Sequence, residues 1–215
     1  MRLFQDRLDA GRRLAAALAA YKGRHPLVLA IPRGAVAMGA EIAHALGGEL
    51  DVVLVRKLRA PGSPEFAVGA VDETGWTYVA PHARSAGADE AYLEREKAVQ
   101  RETLRRRRAQ YTPARAAADI AGRIAIVIDD GIATGASMIA ALHAVRAKKP
   151  AKLVCAVPVA PPESLENLRP CCDELVCLET PEDFMAVGQF YRHFDQVEDE
   201  EVVELLARHG KRAAS

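Results

Sequence analysis

The stretch Ile124-Ala-Ile-Val-Ile-Asp-Asp-Gly-Ile-Ala-Thr-Gly-Ala-Ser-Met138 constrains the fold more than any other part of the chain. Its first five residues are apolar and rich in β-branched side chains, with no polar residue among them. Such a strand has no face to offer water, so it belongs inside a parallel sheet that is covered on both sides. The run ends in two carboxylates, Asp129 and Asp130, followed by a turn of small residues at 131–137. From Met138 to Arg146 the apolar spacing becomes helical. Strand, small-residue turn and helix start, in that order, leave unpaired backbone N–H groups converging on one point where an anion is stabilised.

The glycines let the backbone approach a ligand closely, and the hydroxyls of Thr134 and Ser137 add donors. Ala133, Thr134, Gly135, Ala136 and Ser137 therefore read as a phosphate cup. The carboxylates just upstream would repel a bare phosphate and must face another part of the ligand. A ribose 5-phosphate meets both demands, with its phosphate in the cup and its 2′ and 3′ hydroxyls donating to Asp129 and Asp130. The alternative is a strand end with a capping pair and no ligand. The order Ile-Val-Ile-Asp-Asp-Gly-Ile-Ala-Thr-Gly-Ala-Ser resembles the signature of the type I phosphoribosyltransferases, which bind 5-phosphoribosyl 1-diphosphate (PRPP). The resemblance implies Asp129 and Asp130 as the catalytic pair, fixing the ribose and holding Mg²⁺ directly or through its waters.

A second strand, turn and helix precede it. Residues 27–31 form an apolar run, Pro32-Arg33-Gly34 a tight turn, and residues 35–46 a helix. This is another anion site, with a guanidinium at hand, unless the turn only starts the helix. It resembles the family's diphosphate loop, which implies Pro32, Arg33 and Gly34 as diphosphate-binding; that loop often holds a cis peptide before a residue other than proline. Residues 51–55 read as the second buried strand, running into Arg56-Lys57-Leu58-Arg59 and a Pro/Gly/Ser cluster at 61–64. The composition predicts a mobile basic loop, and its match to a strand-Arg-Lys segment of the family implies that it closes over a diphosphate, with Arg56 and Lys57 as its ligands. The alternative is a surface loop with solvated charges. Residues 66–71 and 76–79 then read as a hairpin or edge pair, with Trp76 a packing residue.

Residues 88–111 are dense in Arg and Glu, with pairs such as Glu102 and Arg106 at i,i+4, and predict a long exposed helix. Its Arg105-Arg106-Arg107-Arg108 run reads as a solvated face rather than a nucleic-acid contact, because no aromatics interleave it. Further apolar runs at 152–157 and 174–178, separated by a short helix at 163–168, complete a βα alternation. The expected fold is α/β, a doubly wound, mostly parallel sheet with ligands at the carboxyl ends of its strands. One domain over 1–215 is expected, with a core at about 24–180. The tail at 181–194 concentrates aromatics, and the resemblance makes it a small hood over the strand ends, with the amphipathic helix at 4–18 as a second contributor. Phe184 and Tyr191 are then candidate acceptor-binding residues, with satellite-core packing as the alternative. Arg7, Arg12 and Arg13 are assigned to a solvated helix face, with the border of an anionic ligand as the alternative, and residues 198–207 to a capping helix with an acidic first turn.

The chain has 215 residues, half of them apolar, enough for a full core. With 29 basic and 29 acidic residues the formal charge is zero, and nothing global favours nucleic acid or membrane as a partner. The charged start lacks the apolar core of a signal peptide and no apolar run approaches a membrane span, so a cytoplasmic protein is expected. Cys155, Cys171, Cys172 and Cys177 form no CxxC and read as reduced thiols, Cys155 and Cys177 in buried strands, with a metal or redox pair at Cys171-Cys172 as the alternative. The activity implied by the resemblance is transfer of the 5-phosphoribosyl group from PRPP to a nitrogenous base or related amine, with Mg²⁺ as cofactor, diphosphate released, and a homodimer common in the family. A PRPP- or nucleotide-binding regulator is the other reading, although no helix-turn-helix segment is apparent. The acceptor stays open among purines, pyrimidines and other amines.

Overall fold

The computed structural model describes residues 3–113 and 116–210. Five strands, β1 (Leu27–Ala30), β2 (Glu49–Val52), β6 (Ile124–Ile128), β7 (Lys152–Val159) and β8 (Glu174–Glu179), make an all-parallel sheet in the order β2-β1-β6-β7-β8. The strands between β2 and β6 in sequence, β3 (Val55–Ala60), β4 (Ser63–Asp72) and β5 (Thr77–Val79), form a separate antiparallel sheet. The helices are α1 (Arg7–Ala17), α2 (Ala35–Leu46), α3 (Glu90–Tyr111), α4 (Ala136–Ala147), α5 (Pro162–Leu168) and α6 (Asp199–Gly210). The α/β architecture expected of the sequence is thus present, and among the described residues no helix is long and apolar enough to cross a membrane.

The unbroken apolar runs are explained by two cores, one on each face of the parallel sheet. Val28, Ala30, Ile126, Ile128 and Val154 point to one face, where Leu14, Met38, Ile42 and Leu206 cover them. Leu27, Leu29, Ala125, Val127, Leu153 and Cys155 point to the other, against Met138, Leu142, Val145 and Leu165. Each strand alternates between two apolar environments, so its sequence shows no polar alternation. Helix α4 packs against both sheets, and six of its twelve residues, Met138, Ala140, Ala141, Leu142, Ala144 and Val145, are buried.

Two expectations change. Residues 51–55 are not one strand: β2 ends at Val52, and β3 starts at Val55 in the other sheet. The expected mobile basic loop is instead a hairpin. Arg56 and Lys57 lie on β3, paired with Val71 and Ala70 of β4, and the chain reverses at Pro61-Gly62, where Gly62 has a φ of +68°. The reason is a period-2 pattern in which Leu58 and Ala60 point inward and Lys57 and Arg59 outward. Cations on the outward face made that strand look like a loop.

Helix α3 is less exposed than its composition suggests. Leu104 and Tyr111 are buried, and Arg108 enters an ion network at the end of β2. Its Nη1 donates to Asp51 Oδ1 at 2.8 Å, its Nε to Glu73 at 2.8 Å and its Nη2 to the Val52 carbonyl at 3.0 Å. Trp76 packs as expected, stacked on His143 of α4.

Candidate active site

The register of the sheet sets the site. Ala30 pairs with Ile128, and the Ile31 N–H donates to the Ile128 carbonyl at 3.0 Å, so the turns after β1 and β6 leave the same rim side by side. Asp129 and Asp130 follow β6 directly, and the Asp130 N–H donates to Asp129 Oδ1 at 2.9 Å. Gly34, the residue before α2, presses against Asp130: a Cβ there would stand 2.0 Å from Asp130 Oδ2. Pro32-Arg33 is a cis peptide, the feature the resemblance allowed for.

Beyond the carboxylates the turn wraps a cavity of about 200 Å³, lined by Asp129, residues 131–138 and Val187. All five residues of the expected cup, Ala133 to Ser137, line it. Gly135 has a φ of +78°, the left-handed conformation that suits glycine, and α4 begins at Ala136. The first N–H groups of α4, which have no partner inside the helix, therefore face the cavity end of the turn. The turn is pinned from outside by the Ile132 N–H donating to the Val159 carbonyl at 2.9 Å and by Ser164 Oγ of α5 donating to the Ala133 carbonyl at 2.5 Å. Val187 closes the far wall, and a Cβ on Gly131 would meet its Cγ1 at 2.4 Å.

The two carboxylates sit in different surroundings. Burial, and then the charge of Asp130, push Asp129 well above the ordinary carboxylate range. Asp130 Oδ2 accepts from Arg7 Nε at 2.7 Å, and both side chains are about 15% exposed. Arg7 is itself clamped, donating from Nη1 to the Asp195 carbonyl at 2.7 Å and lying 3.9 Å over the Phe194 ring. The helix face assigned to solvent thus delivers one guanidinium into the site, while Arg13 stays on the surface with Asp9.

The other expected residues are placed as follows. Arg33, half-buried, faces Glu198 and Asp199 at the start of α6, at 3.8 and 3.9 Å. Arg56 donates to Gln100 Oε1 of α3 at 2.5 Å, and Lys57 is exposed on β3. Tyr191 is 2% exposed, packed between Phe4 and Phe194, with its hydroxyl donating to the Asp130 carbonyl at 2.6 Å. Its ring has no free face for an acceptor; it buttresses the Asp130 backbone. Phe184 is half-buried against Phe190. The amino-terminal and tail segments are joined by backbone hydrogen bonds from Phe4 to Phe190 and from Arg192 back to Phe4.

A family model described as the phosphoribosyl transferase domain matches residues 3–195. The chain belongs to the phosphoribosyltransferase family. A curated relative from Mycobacterium tuberculosis strain H37Rv, named "Putative phosphoribosyl transferase Rv0571c", is 43% identical over 209 residues, which is 97% of this chain. The match covers 47% of that relative, so the chain spans about half the length of the curated relatives it matches. Among solved structures, TT1426 from Thermus thermophilus superposes with a TM-score of 0.88 at 50% identity, covering 97% of this chain and 99% of that one. Sequence reasoning missed Ser164 and Val187 and favoured a solvated face for Arg7 over the border of an anionic ligand; all three come from elements distant in the chain, and only their side-chain types were visible.

Proposed function

We propose that this phosphoribosyltransferase transfers the 5-phosphoribosyl group of PRPP to a nitrogenous base or related amine, releasing diphosphate. The observation that carries the proposal is the adjacency, on one rim, of two aspartates and a backbone cup of about 200 Å³ that opens onto Asp129. The cup takes the 5′-phosphate on the N–H groups around Gly135. In this reading the ribose 2′ and 3′ hydroxyls donate to Asp129 and Asp130, while the Arg33 loop and Arg56 are assigned to the leaving diphosphate. Positive charge develops on the ribose as the C1–O bond lengthens, and the carboxylates stabilise it; the nitrogen lone pair then forms the new bond as diphosphate leaves with the electron pair.

Mg²⁺ fits the donors present. It prefers hard oxygen ligands and commonly takes one or two carboxylates together with substrate phosphates. Asp129 Oδ2 and Asp130 Oδ1 are the oxygens not already engaged by the Asp130 N–H or by Arg7. When bound, the ion neutralises charge on the diphosphate. Among the described residues there is no cluster of three or more His, Cys, Asp or Glu suited to a metal.

One observation favours the regulator reading: the Asp130 carboxylate is already paired with Arg7, so a ligand must share it or displace the guanidinium. The discriminating measurement is Mg²⁺-dependent diphosphate release from PRPP with a panel of bases and amines, beside PRPP binding by calorimetry. Turnover that disappears in the Asp129→Asn, Asp130→Asn double variant, with the fold retained by circular dichroism, supports the transferase. PRPP binding without release for any acceptor supports the regulator, and full turnover in the double variant refutes the assignment of the pair.

A further inference from the structure

The Arg105-Arg106-Arg107-Arg108 run divides into three fates. Arg105 and Arg106 are 72% and 79% exposed and share Glu102. Arg108 is consumed by the Asp51 and Glu73 network. Arg107 is half-buried, and among the described residues it has no carboxylate within ion-pair distance. Its place on α3 explains what it faces. Gln100, Leu104, Arg107 and Tyr111 share one helix face, at spacings of four, three and four residues. Leu104 and Tyr111 are buried, so this face is turned to the body of the protein.

Each end of the face holds one of the guanidiniums assigned to the diphosphate. Gln100 accepts from Arg56 Nε, and the Tyr111 hydroxyl donates at 2.7 Å to Asp199 Oδ1, the oxygen that Arg33 approaches at 3.9 Å. Arg107 lies about 10 Å along the axis from Gln100 and about 6 Å from Tyr111, between the two arginines. The electrostatics agree. Burial first, and then Arg107 and Arg59, hold Arg56 below the usual guanidinium range. Tyr111 is pushed up to about 12, chiefly by burial and its bond to Asp199, with Arg107 and Arg33 both pulling it down. The three guanidiniums are strung along one helix face, with Glu96 acting on Arg56 and only long contacts from Arg33 to carboxylates, and the charge of Arg107 repels that of Arg56. A multiply charged anion relieves that repulsion.

We propose that Arg107 is a third ligand of the diphosphate group, joining Arg33 and Arg56 from a helix outside both phosphate turns. The inference rests on the phosphoribosyl-transfer reading and adds a residue to it. A planar guanidinium can bind two oxygens of a diphosphate at once, which an ammonium cannot.

The test is calorimetric titration of the full chain, with Mg²⁺, by PRPP, inorganic diphosphate and ribose 5-phosphate. Arg107→Gln should weaken PRPP and diphosphate by about tenfold or more, the loss of one charge-assisted contact, and leave ribose 5-phosphate within about twofold. Arg106→Gln removes the same charge from the exposed neighbour and should leave all three within about twofold. Arg107→Lys keeps the charge and should lose about threefold or more for diphosphate, since the two-oxygen contact is gone. If Arg107→Gln matches Arg106→Gln, or weakens all three ligands alike, the proposal fails while the transferase reading stands. If Arg107→Gln does not fold, unchanged diphosphate affinity in Arg107→Lys overturns it. A wild-type chain that binds neither PRPP nor diphosphate removes both this inference and the reading beneath it.

Discussion

Gly34 offers a sharp test of how the two turns lock together. Its backbone is helical, with φ −54° and ψ −37°, so alanine is conformationally acceptable. Judged by backbone alone, Gly34→Ala should stabilise the protein by about 0.4–1 kcal/mol through the unfolded chain. The obstacle is Asp130: the new Cβ would lie 2.0 Å from Oδ2 and 2.9 Å from Cγ. Ordinary contact begins near 3.4 Å, so the carboxylate must retreat by more than an ångström and release its 2.7 Å bond from Arg7. Losing a hydrogen bond to a charged partner costs about 1.5–3 kcal/mol. The net effect should be a destabilisation of about 1–2 kcal/mol, a fall in Tm of about 2–8 °C for a chain of this size. In an Asp130→Ala background the obstacle is gone, and the same substitution should become neutral or stabilising by up to about 1 kcal/mol. The assay is urea unfolding of the four proteins of this cycle, followed by circular dichroism, with a coupling of about 1.5–3 kcal/mol expected. An equal cost of Gly34→Ala in both backgrounds would refute the contact as the origin of the effect.

Asp129 is held protonated above the usual range, so the native state binds an extra proton between the unfolded and folded pKa values. Stability therefore falls as pH rises from about 4 through that window, by up to about 1.4 kcal/mol per pH unit. Asp129→Asn keeps the acceptor for the Asp130 N–H and removes the titration, so its advantage over wild type should grow with pH in urea melts. A difference that stays flat with pH would contradict the burial argument. Ser164→Ala removes the donor to the Ala133 carbonyl and should cost about 1 kcal/mol, with weaker ribose 5-phosphate binding by calorimetry. Gly135→Ala should cost about 1–2 kcal/mol from its left-handed φ of +78° and impair the same ligand. Arg108→Ala breaks the buried ion pairs with Asp51 and Glu73 and should cost about 3–5 kcal/mol, whereas Arg105→Ala should stay within about 0.5 kcal/mol in thermal melts.

The basic hairpin marks the point where local reading went astray. The Pro61-Gly62 cluster and three cations match a loop, yet Leu58 and Ala60 alternate inward as a strand does. Whether that alternation is used depends on a partner, and β4 supplies it. The same holds for residues 51–55, where nothing local says that the chain leaves one sheet and enters another after Val52.

By itself, the order of residues determined the parallel sheet, the rim where its turns gather, and the candidate cup at 133–137 beside Asp129 and Asp130. These are consequences of short-range physics: an apolar run buried on both faces, a turn whose glycine takes a left-handed φ, and a helix start with unpaired N–H groups. Only the tertiary structure decided which charges meet. Arg7 reaches Asp130 across 123 residues of chain, Tyr191 reaches the Asp130 carbonyl across 61, and Arg108 alone of its run is sealed into an ion network. Such pairings follow from how helices and tail are packed onto the sheet. An arginine on an amphipathic helix looks the same in sequence whether it ends in water or against a buried carboxylate.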